Sequence, residues 1–253
     1  MRRTTRPGSP RRHALSAVVL VLAATTSSVA AADDGVGPLG VTVDAPATWP
    51  TARVGALFRG TGALAGGHFC TASVVHSEGR NLIVTAAHCL DGGGRFRFAP
   101  GYRDGRAPYG VWDVGRTYVA EAWRRDRDED SDLAFAVVDD LAGLEVEDVV
   151  GGSPLAIGQA TGATAVTVTG YPRSREVPVT CTARPSAHSG TQQRVECPGF
   201  TGGTSGSPWV NGDGRVVGVI GGHEEGGNTA DVSYSVVLGE EAAALHRTAS
   251  AER

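Results

Sequence analysis

The chain contains no lysine; all 23 basic residues among its 253 are Arg. Apart from five Arg near the start, none of these gathers into a basic patch, so nucleic-acid binding has no electrostatic footing. The four cysteines include no C-x-x-C pair, which argues against a structural zinc site. The 36 Gly and 13 Pro show no three-residue period, which excludes collagen. Aromatics make up only 6%, and Trp49, Trp112, Trp123 and Trp209 are scattered, which argues against a carbohydrate-binding face. No apolar run reaches the roughly 20 residues of a membrane span.

What is present is a globular composition, 41% hydrophobic and 20% charged, enough for a sizeable core. The length fits one large domain or two small ones. Residues 1–13 carry Arg2, Arg3, Arg6, Arg11 and Arg12 and no acid; an apolar run follows from Ala14 to Ala24, then small residues to Ala32. A basic start, a short apolar stretch and an A-x-A-like end describe a secretory signal peptide over residues 1–32. The Arg11-Arg12 pair leaves both general and twin-arginine export open. Removing these five Arg leaves 18 against 27 acids, a formal net charge of −9. The mature protein is expected to be secreted, monomeric and acidic, with no membrane association after cleavage and no affinity for polyanions.

Cys70, Cys89, Cys181 and Cys197 survive cleavage, and an even count in an exported chain suggests two disulfides. Three pairings are possible. The nearest-neighbour pairing, Cys70–Cys89 with Cys181–Cys197, is the one expected, because it closes a short loop in each half; each loop is worth about 3 kcal/mol in the chain-entropy model.

Residues 33–50 are rich in Gly and Pro and read as a linker or short pro-segment. From Val54 the texture is that of strands. Short apolar or alternating runs fall at Val54–Phe58, Phe69–Val75, Leu82–Ala86, Arg95–Ala99, Val111–Val119 and Leu133–Val138. A second series falls at Ala165–Tyr171, Val177–Thr182, Gln192–Cys197, Pro208–Val210, Val216–Ile220 and Val232–Leu238. Asn211-Gly212-Asp213-Gly214 is a hairpin signal. The break between the series, Gly143–Gly162, divides residues 51–142 from 143–238. Residues 239–253 hold the only convincing helix, with Glu240 and Glu241 at its start and His246 and Arg247 at its end, as the helix dipole prefers. A dozen short strands point to an all-β sandwich or barrel pair.

Three segments can carry chemistry. An apolar strand ends in Thr85-Ala86-Ala87-His88-Cys89, which pins one His beside a cysteine. Asp132 is the last acid before the run Leu133–Val138, at a core edge where it can stay ionised and orient an imidazole. Gly203-Thr204-Ser205-Gly206-Ser207-Pro208 places a Ser between glycines, which permit a tight turn and close approach to backbone N–H donors. The order His, Asp, Ser differs from the orders of subtilisins and α/β-hydrolases.

These segments resemble the trypsin/chymotrypsin-like serine peptidases, and the secreted bacterial, glutamyl-endopeptidase-like branch in particular. Residues 85–89 are similar to the family's T-A-A-H-C, residues 203–208 to its G-[DN]-S-G-[GS]-P and Asp132-Leu133-Ala134 to its D-[IL]-A; the resemblance covers about Val54 to Leu238. It implies two packed antiparallel six-stranded β-barrels with the site between them, a protein or peptide substrate, an acyl-enzyme, and neither metal nor cofactor. It implies Ser205 as nucleophile, His88 as general base and acid, Asp132 as its orienting carboxylate and the N–H groups of Gly203 and Ser205 as oxyanion hole. It also supports the Cys70–Cys89 bridge.

The departures are informative. Thr204 stands where trypsins carry an Asp that pairs with a freed amino terminus, so that activation switch is not expected. Gly199 occupies the position of the trypsin pocket acid. The specificity strand falls on Ile220, Gly221, Gly222 and His223, without its Trp; these residues with Gly199 are the expected pocket, and His223 allows glutamyl specificity. The competing reading is a protease-like secreted binding protein that has lost catalysis. The missing Trp favours it and the three intact residues His88, Asp132 and Ser205 oppose it.

Overall fold

Why the run Leu82–Ala86 is apolar without alternation becomes clear from its surroundings. In the computed structural model, which describes Met1 and residues 40–251, Ile83 points into one core while Leu82 and Val84 point into another. The strand therefore has two buried faces, and period-two alternation distributes one apolar run between them. The expected signal peptide beyond Met1, and residues 33–39 of the expected linker, lie outside the described residues.

Seven strands precede the sequence break: β1 (Thr42–Asp44), β2 (Val54–Arg59), β3 (His68–Val75), β4 (Leu82–Thr85), β5 (Phe96–Pro100), β6 (Trp112–Val119) and β7 (Ala134–Val138). The last six form a closed antiparallel barrel in the order β2-β3-β4-β7-β6-β5. Its interior holds Leu57, Val74, Ile83, Phe98, Trp112 and Ala136. A short helix within the sequence break, Val146–Val150, adds Val146 and Val150 to this same core, so the first half reaches beyond residue 142.

The second half contains β8 (Val166–Gly170), β9 (Val179–Ala183), β10 (Ser186–Ala187), β11 (Gln192–Glu196), β12 (Pro208–Asn211), β13 (Val216–Val219) and β14 (Val232–Val236). They lie in two sheets, β1-β9-β8-β12-β13 and β10-β11-β14. One corner is joined by the Gly221 N–H, which donates to the Tyr234 carbonyl at 3.0 Å. The other, between β9 and β11, is joined by the Cys181–Cys197 disulfide. Strand β1 lies in the stretch read as a linker. It pairs Thr42 with Cys181 and so covers the β9 edge.

Between the halves, Leu82, Val84 and Phe135 of the first barrel meet Val216, Val219 and Leu238 of the second. Each such side chain contributes about 1.5–3 kcal/mol when fully buried. The expected C-terminal helix runs from Glu240 to Ser250 and lays Ala242 and Ala249 on this same interface. The sequence showed this helix alone; besides Val146–Val150, short helices also form at Trp49–Ala52 and Glu121–Asp126. The architecture is the expected chymotrypsin-like one, the first half a closed six-stranded barrel and the second half two sheets joined at their corners. Among the described residues no helix is long and apolar enough to cross a membrane.

Candidate active site

Strand β4 ends at Thr85 and passes into a 3-10 turn, Ala87–Leu90, that carries His88. Cys89 within this turn is bonded to Cys70 on β3, which anchors the turn to the neighbouring strand. Asp132 follows another 3-10 turn, Glu129–Ser131, just ahead of β7. Strands β4 and β7 are partners, pairing Thr85 with Ala134, so their ends deliver the two residues side by side.

The Asp132 side chain has no solvent exposure and accepts three hydrogen bonds. Its Oδ1 accepts the His88 backbone N–H at 3.0 Å. Its Oδ2 accepts from His88 Nδ1 at 2.8 Å and from the Gly222 N–H at 2.8 Å. An ionised carboxylate can only accept, so Nδ1 carries the imidazole proton and Nε2 is left as the basic nitrogen. Burial pushes the His88 pKa down; the hydrogen bond and charge of Asp132, helped by Glu225 and Asp91, outweigh it and hold the value above the ordinary 6.5.

Ser205 sits on the turn before β12, with Gly203 at φ 104° and Gly206 at φ 85°. A β-carbon at residue 206 would collide with the Thr71 carbonyl and Thr85 Oγ1, so glycine is required by space as well as by angle. Thr71 on β3 is the fastening point. Its N–H donates to the Ser205 carbonyl at 2.8 Å. Its hydroxyl donates to the Gly203 carbonyl at 3.0 Å and accepts from the Tyr171 N–H at 3.0 Å. Thr71 adjoins Cys70, which is bonded to Cys89 beside His88. One short path therefore links the Ser205 loop of one half to the His88 turn of the other.

The loop's peptide planes are set by carbonyl tethers. The Gly202 carbonyl accepts from the Arg173 N–H at 2.7 Å. The Thr204 carbonyl accepts from the Ser207 N–H at 3.0 Å and from the Ser207 hydroxyl at 2.6 Å. In a trans peptide the N–H points opposite to the C=O. These tethers therefore turn the Gly203 and Ser205 N–H groups each away from its own carbonyl's support. The N–H groups of Thr204, Gly206 and Ser207 have internal acceptors. Those of Gly203 and Ser205 have none among the described residues, which suits two donors reserved for an incoming oxyanion.

Beside Ser205 lies a cavity of about 240 Å³, lined by Phe200, Ile220, Glu225, Asn228 and Ser233 among others. Of the expected pocket residues only Ile220 lines it. Gly199 lies near Thr42 instead. Gly221 packs against Asp132, where a β-carbon would come within 2.9 Å of its carbonyl oxygen. Gly222 serves Asp132 through its N–H. The His223 ring stacks on His188 at 4.6 Å and meets Tyr234 at 4.8 Å, away from the cavity. Sequence reasoning missed Thr71, Arg173 and Glu225, and did not assign Ser207 a part. Only the two acids after Gly222 offered a signal.

The ligand atoms of Cys70, His88 and Cys89 lie within 4.8 Å of one another. Both sulfurs are consumed in the disulfide, so no thiolate remains and the trio does not suit a metal ion.

Comparison with known proteins gives a consistent picture. Residues 70–219 match the model of the trypsin-like peptidase domain. The crystal structure of protease Anisep from Arthrobacter nicotinovorans is similar, with 29% identity over 81% of this chain and 99% of that one, at a TM-score of 0.70. The thermostable serine protease AL20 from an extremophilic microorganism is 28% identical over 81% of this chain and 100% of its own, at 0.70. A Glu endopeptidase shares the fold at 16% identity, over 86% of this chain and 99% of its own, at 0.69. No curated protein matches the chain.

Proposed function

The chain belongs to the trypsin-like peptidase family as a serine-type endopeptidase acting on protein or peptide substrates, and we propose that it works through Ser205, His88 and Asp132 by way of an acyl-enzyme. The observation that carries this reading is the buried carboxylate of Asp132 holding Nδ1 of His88, which leaves Nε2 basic.

The Ser205 hydroxyl oxygen attacks the scissile carbonyl carbon while its proton passes to His88 Nε2. The charge that develops on the carbonyl oxygen is met by the N–H groups of Gly203 and Ser205. Collapse of the tetrahedral species breaks the C–N bond, and the amine leaves with the proton held by His88. Water then attacks the Ser205 ester, giving its proton to Nε2. The C–O bond breaks, and Ser205 recovers its proton from His88. Asp132 stays ionised throughout and stabilises the imidazolium. No step calls for a metal or cofactor.

The enzyme in this reading is exported by residues 1–32 and acts as a secreted monomer without membrane or nucleic-acid partners. Its barrels correspond to residues 51–142 and 143–238, with the short helix Val146–Val150 returned to the first. The basic, apolar and small-residue succession at the amino terminus supports the export, and the two disulfides suit an oxidising compartment.

A fluorophosphonate probe tests the site directly. Labelling is expected on Ser205, to vanish in Ser205→Ala and to persist in Ser207→Ala. An adduct on Ser207, or normal turnover by Ser205→Ala, overturns the assignment. Absence of both labelling and peptide hydrolysis overturns the enzyme and leaves a protease-like binding protein.

A further inference from the structure

One buried histidine has no part in the steps proposed for Ser205. His68 opens β3 and is only 1% exposed. Its ring is walled by Phe58, Tyr102 and Tyr171, with centroids 6.2, 5.8 and 6.2 Å away. Its Nε2 lies 3.0 Å from the Pro172 carbonyl oxygen of the second half. A carbonyl can only accept, so Nε2 carries a proton and donates it. Nδ1 is buried and has no hydrogen-bond partner among the described residues. Burying a ring nitrogen without a partner costs free energy that an apolar side chain of the same size would avoid. Packing alone therefore does not account for a histidine here, whereas the Nε2–H does.

The Pro172 carbonyl is one end of a peptide whose other end is the Arg173 N–H, and in a trans peptide the two point in opposite directions. The Arg173 N–H donates to the Gly202 carbonyl at 2.7 Å, and the peptide bearing that carbonyl ends in the N–H of Gly203. The groups thus follow one another head to tail. His68 donates to Pro172, Arg173 donates to Gly202, and the Gly203 N–H comes last, without an acceptor among the described residues. Successive bonds in such a chain polarise one another. The Pro172 carbonyl also accepts the Arg175 N–H at 2.9 Å, which closes a turn within its own segment. The bond from His68 is the one that ties this carbonyl to the first barrel. Contact with the loop is close. A β-carbon on residue 203 would come within 2.6 Å of both the Arg173 nitrogen and the Tyr171 carbonyl oxygen, so a shift of residues 171–173 is passed on to the loop.

We infer that His68 is a positioning residue for the oxyanion donor: through the Pro172–Arg173 peptide it sets the direction and the polarity of the Gly203 N–H. The inference rests on the peptidase reading of Ser205. His68 touches neither substrate nor reacting atoms, so its effect falls on the charged species formed during turnover and little on substrate binding. Thr71, three residues further along β3, holds the Gly203 carbonyl through its hydroxyl. One strand of the first barrel therefore governs two successive peptides of the Ser205 loop, Gly202–Gly203 by way of His68 and Gly203–Thr204 by way of Thr71.

The test uses the full mature protein and two variants. His68→Met keeps the size of the side chain and removes the donor. His68→Gln offers an amide N–H near the place of Nε2. In His68→Met kcat is expected to fall about tenfold while KM changes by less than about twofold. A peptide aldehyde, whose adduct with Ser205 carries the oxyanion, should lose affinity by the same factor. His68→Gln should recover most of both. The infrared carbonyl stretch of an acyl group on Ser205 is a readout that a packing role would not move. It should rise in His68→Met, as the bond from Gly203 weakens, and return toward the wild-type value in His68→Gln. Equal losses in both variants with an unmoved carbonyl band overturn the inference and leave the peptidase intact. So does wild-type kcat in His68→Met. If His68→Met does not fold, nitrogen NMR of the wild type decides. The His68 signal, identified by its absence from His68→Gln, should show the proton on Nε2, and that N–H resonance should move when the aldehyde binds. A proton on Nδ1 alone, or a resonance indifferent to the aldehyde, overturns the inference. A wild type that neither takes up fluorophosphonate nor hydrolyses any peptide overturns the reading of Ser205 and the inference with it.

Discussion

The hydroxyl of Ser207 occupies the place where a β-carbon on residue 170 would have to be. Gly170 ends β8, Ser207 precedes β12, and the two strands are partners through pairs such as Trp209 with Val168. The glycine makes room for a fully buried hydroxyl whose task is to hold the Thr204 carbonyl. That carbonyl belongs to the peptide whose N–H comes from Ser205.

Gly170→Ala should therefore damage the site from behind. Overpacking of this sort costs about 1–3 kcal/mol in stability, and the displaced hydroxyl should lower kcat more than it changes KM. In a Ser207→Gly background the same Gly170→Ala change should be nearly silent. A denaturation midpoint and a rate for all four members of the cycle give the coupling. Additive losses would show that the two residues do not share this space. Ser207→Ala alone removes one hydrogen bond of about 1 kcal/mol, and the Ser207 N–H still holds Thr204, so labelling of Ser205 should continue.

The pH profile should carry the mark of Asp132. Activity needs neutral His88, whose pKa is raised above 6.5, so kcat/KM should climb only as pH passes that raised value. Asp132→Asn should move the acid limb downward and lower kcat by about 10⁴, as expected when the tautomer is no longer enforced. The sign for stability is opposite to that for activity. A raised folded-state pKa contributes stability that is complete below 6.5 and disappears as pH rises through the raised value. An acid limb unmoved by Asp132→Asn would place the controlling proton elsewhere.

The two disulfides should differ in kind. They close loops of 19 and 16 residues in sequence separation, so removing either pair by Cys→Ser should cost about 3 kcal/mol. Loss of Cys181–Cys197 frees the β9–β11 corner, remote from the His88 turn. Loss of Cys70–Cys89 frees that turn and the strand bearing Thr71. Under conditions where both variants remain folded by circular dichroism, the Cys70/Cys89 variant should show the larger fall in kcat. Equal falls would mean that the first bridge has no special hold on the site.

Thr204 settles how the loop is supported where trypsins use an ion pair. Its side chain is buried and its hydroxyl donates to the Thr201 carbonyl at 2.9 Å. It presents no carboxylate to a freed amino terminus. Moving the mature start within residues 31–39 should change turnover little. A loss of about 100-fold, 2.7 kcal/mol of barrier, would show that the terminus belongs to the site. Trimming further is a different experiment, because Thr42–Asp44 is strand β1 on the β9 edge.

The sequence was most readable where one residue type answers to one local demand. Asn211 accepts the Asp213 and Arg215 N–H groups within its hairpin, as its Asn-Gly-Asp-Gly spelling suggests. The twelve expected runs coincide with strands, most of them apolar on at least one face. Strands β1 and β10 escaped because neither carries such a pattern: β1 is half-buried to exposed and β10 exposed throughout. His88 and Asp132 were legible because their strands deliver them at fixed ends. The pocket was not. One wall of the cavity beside Ser205 is the left-handed turn at Glu224 and Glu225, a conformation that Glu does not favour, and Glu129, far away in the chain, accepts the Glu224 N–H. Thr71 was hidden for a similar reason, since all of its partners are distant in sequence.

Each half lends the other what it lacks. The carboxylate of the first barrel is held by a Gly222 N–H of the second, and the Ser205 loop of the second is held by Thr71 of the first. Neither half alone can align a nucleophile with a base. Until the second half has folded onto the first, Asp132 lacks its Gly222 donor and the Ser205 loop lacks its Thr71 support, so on the proposed mechanism docking of the halves is itself the moment of arming.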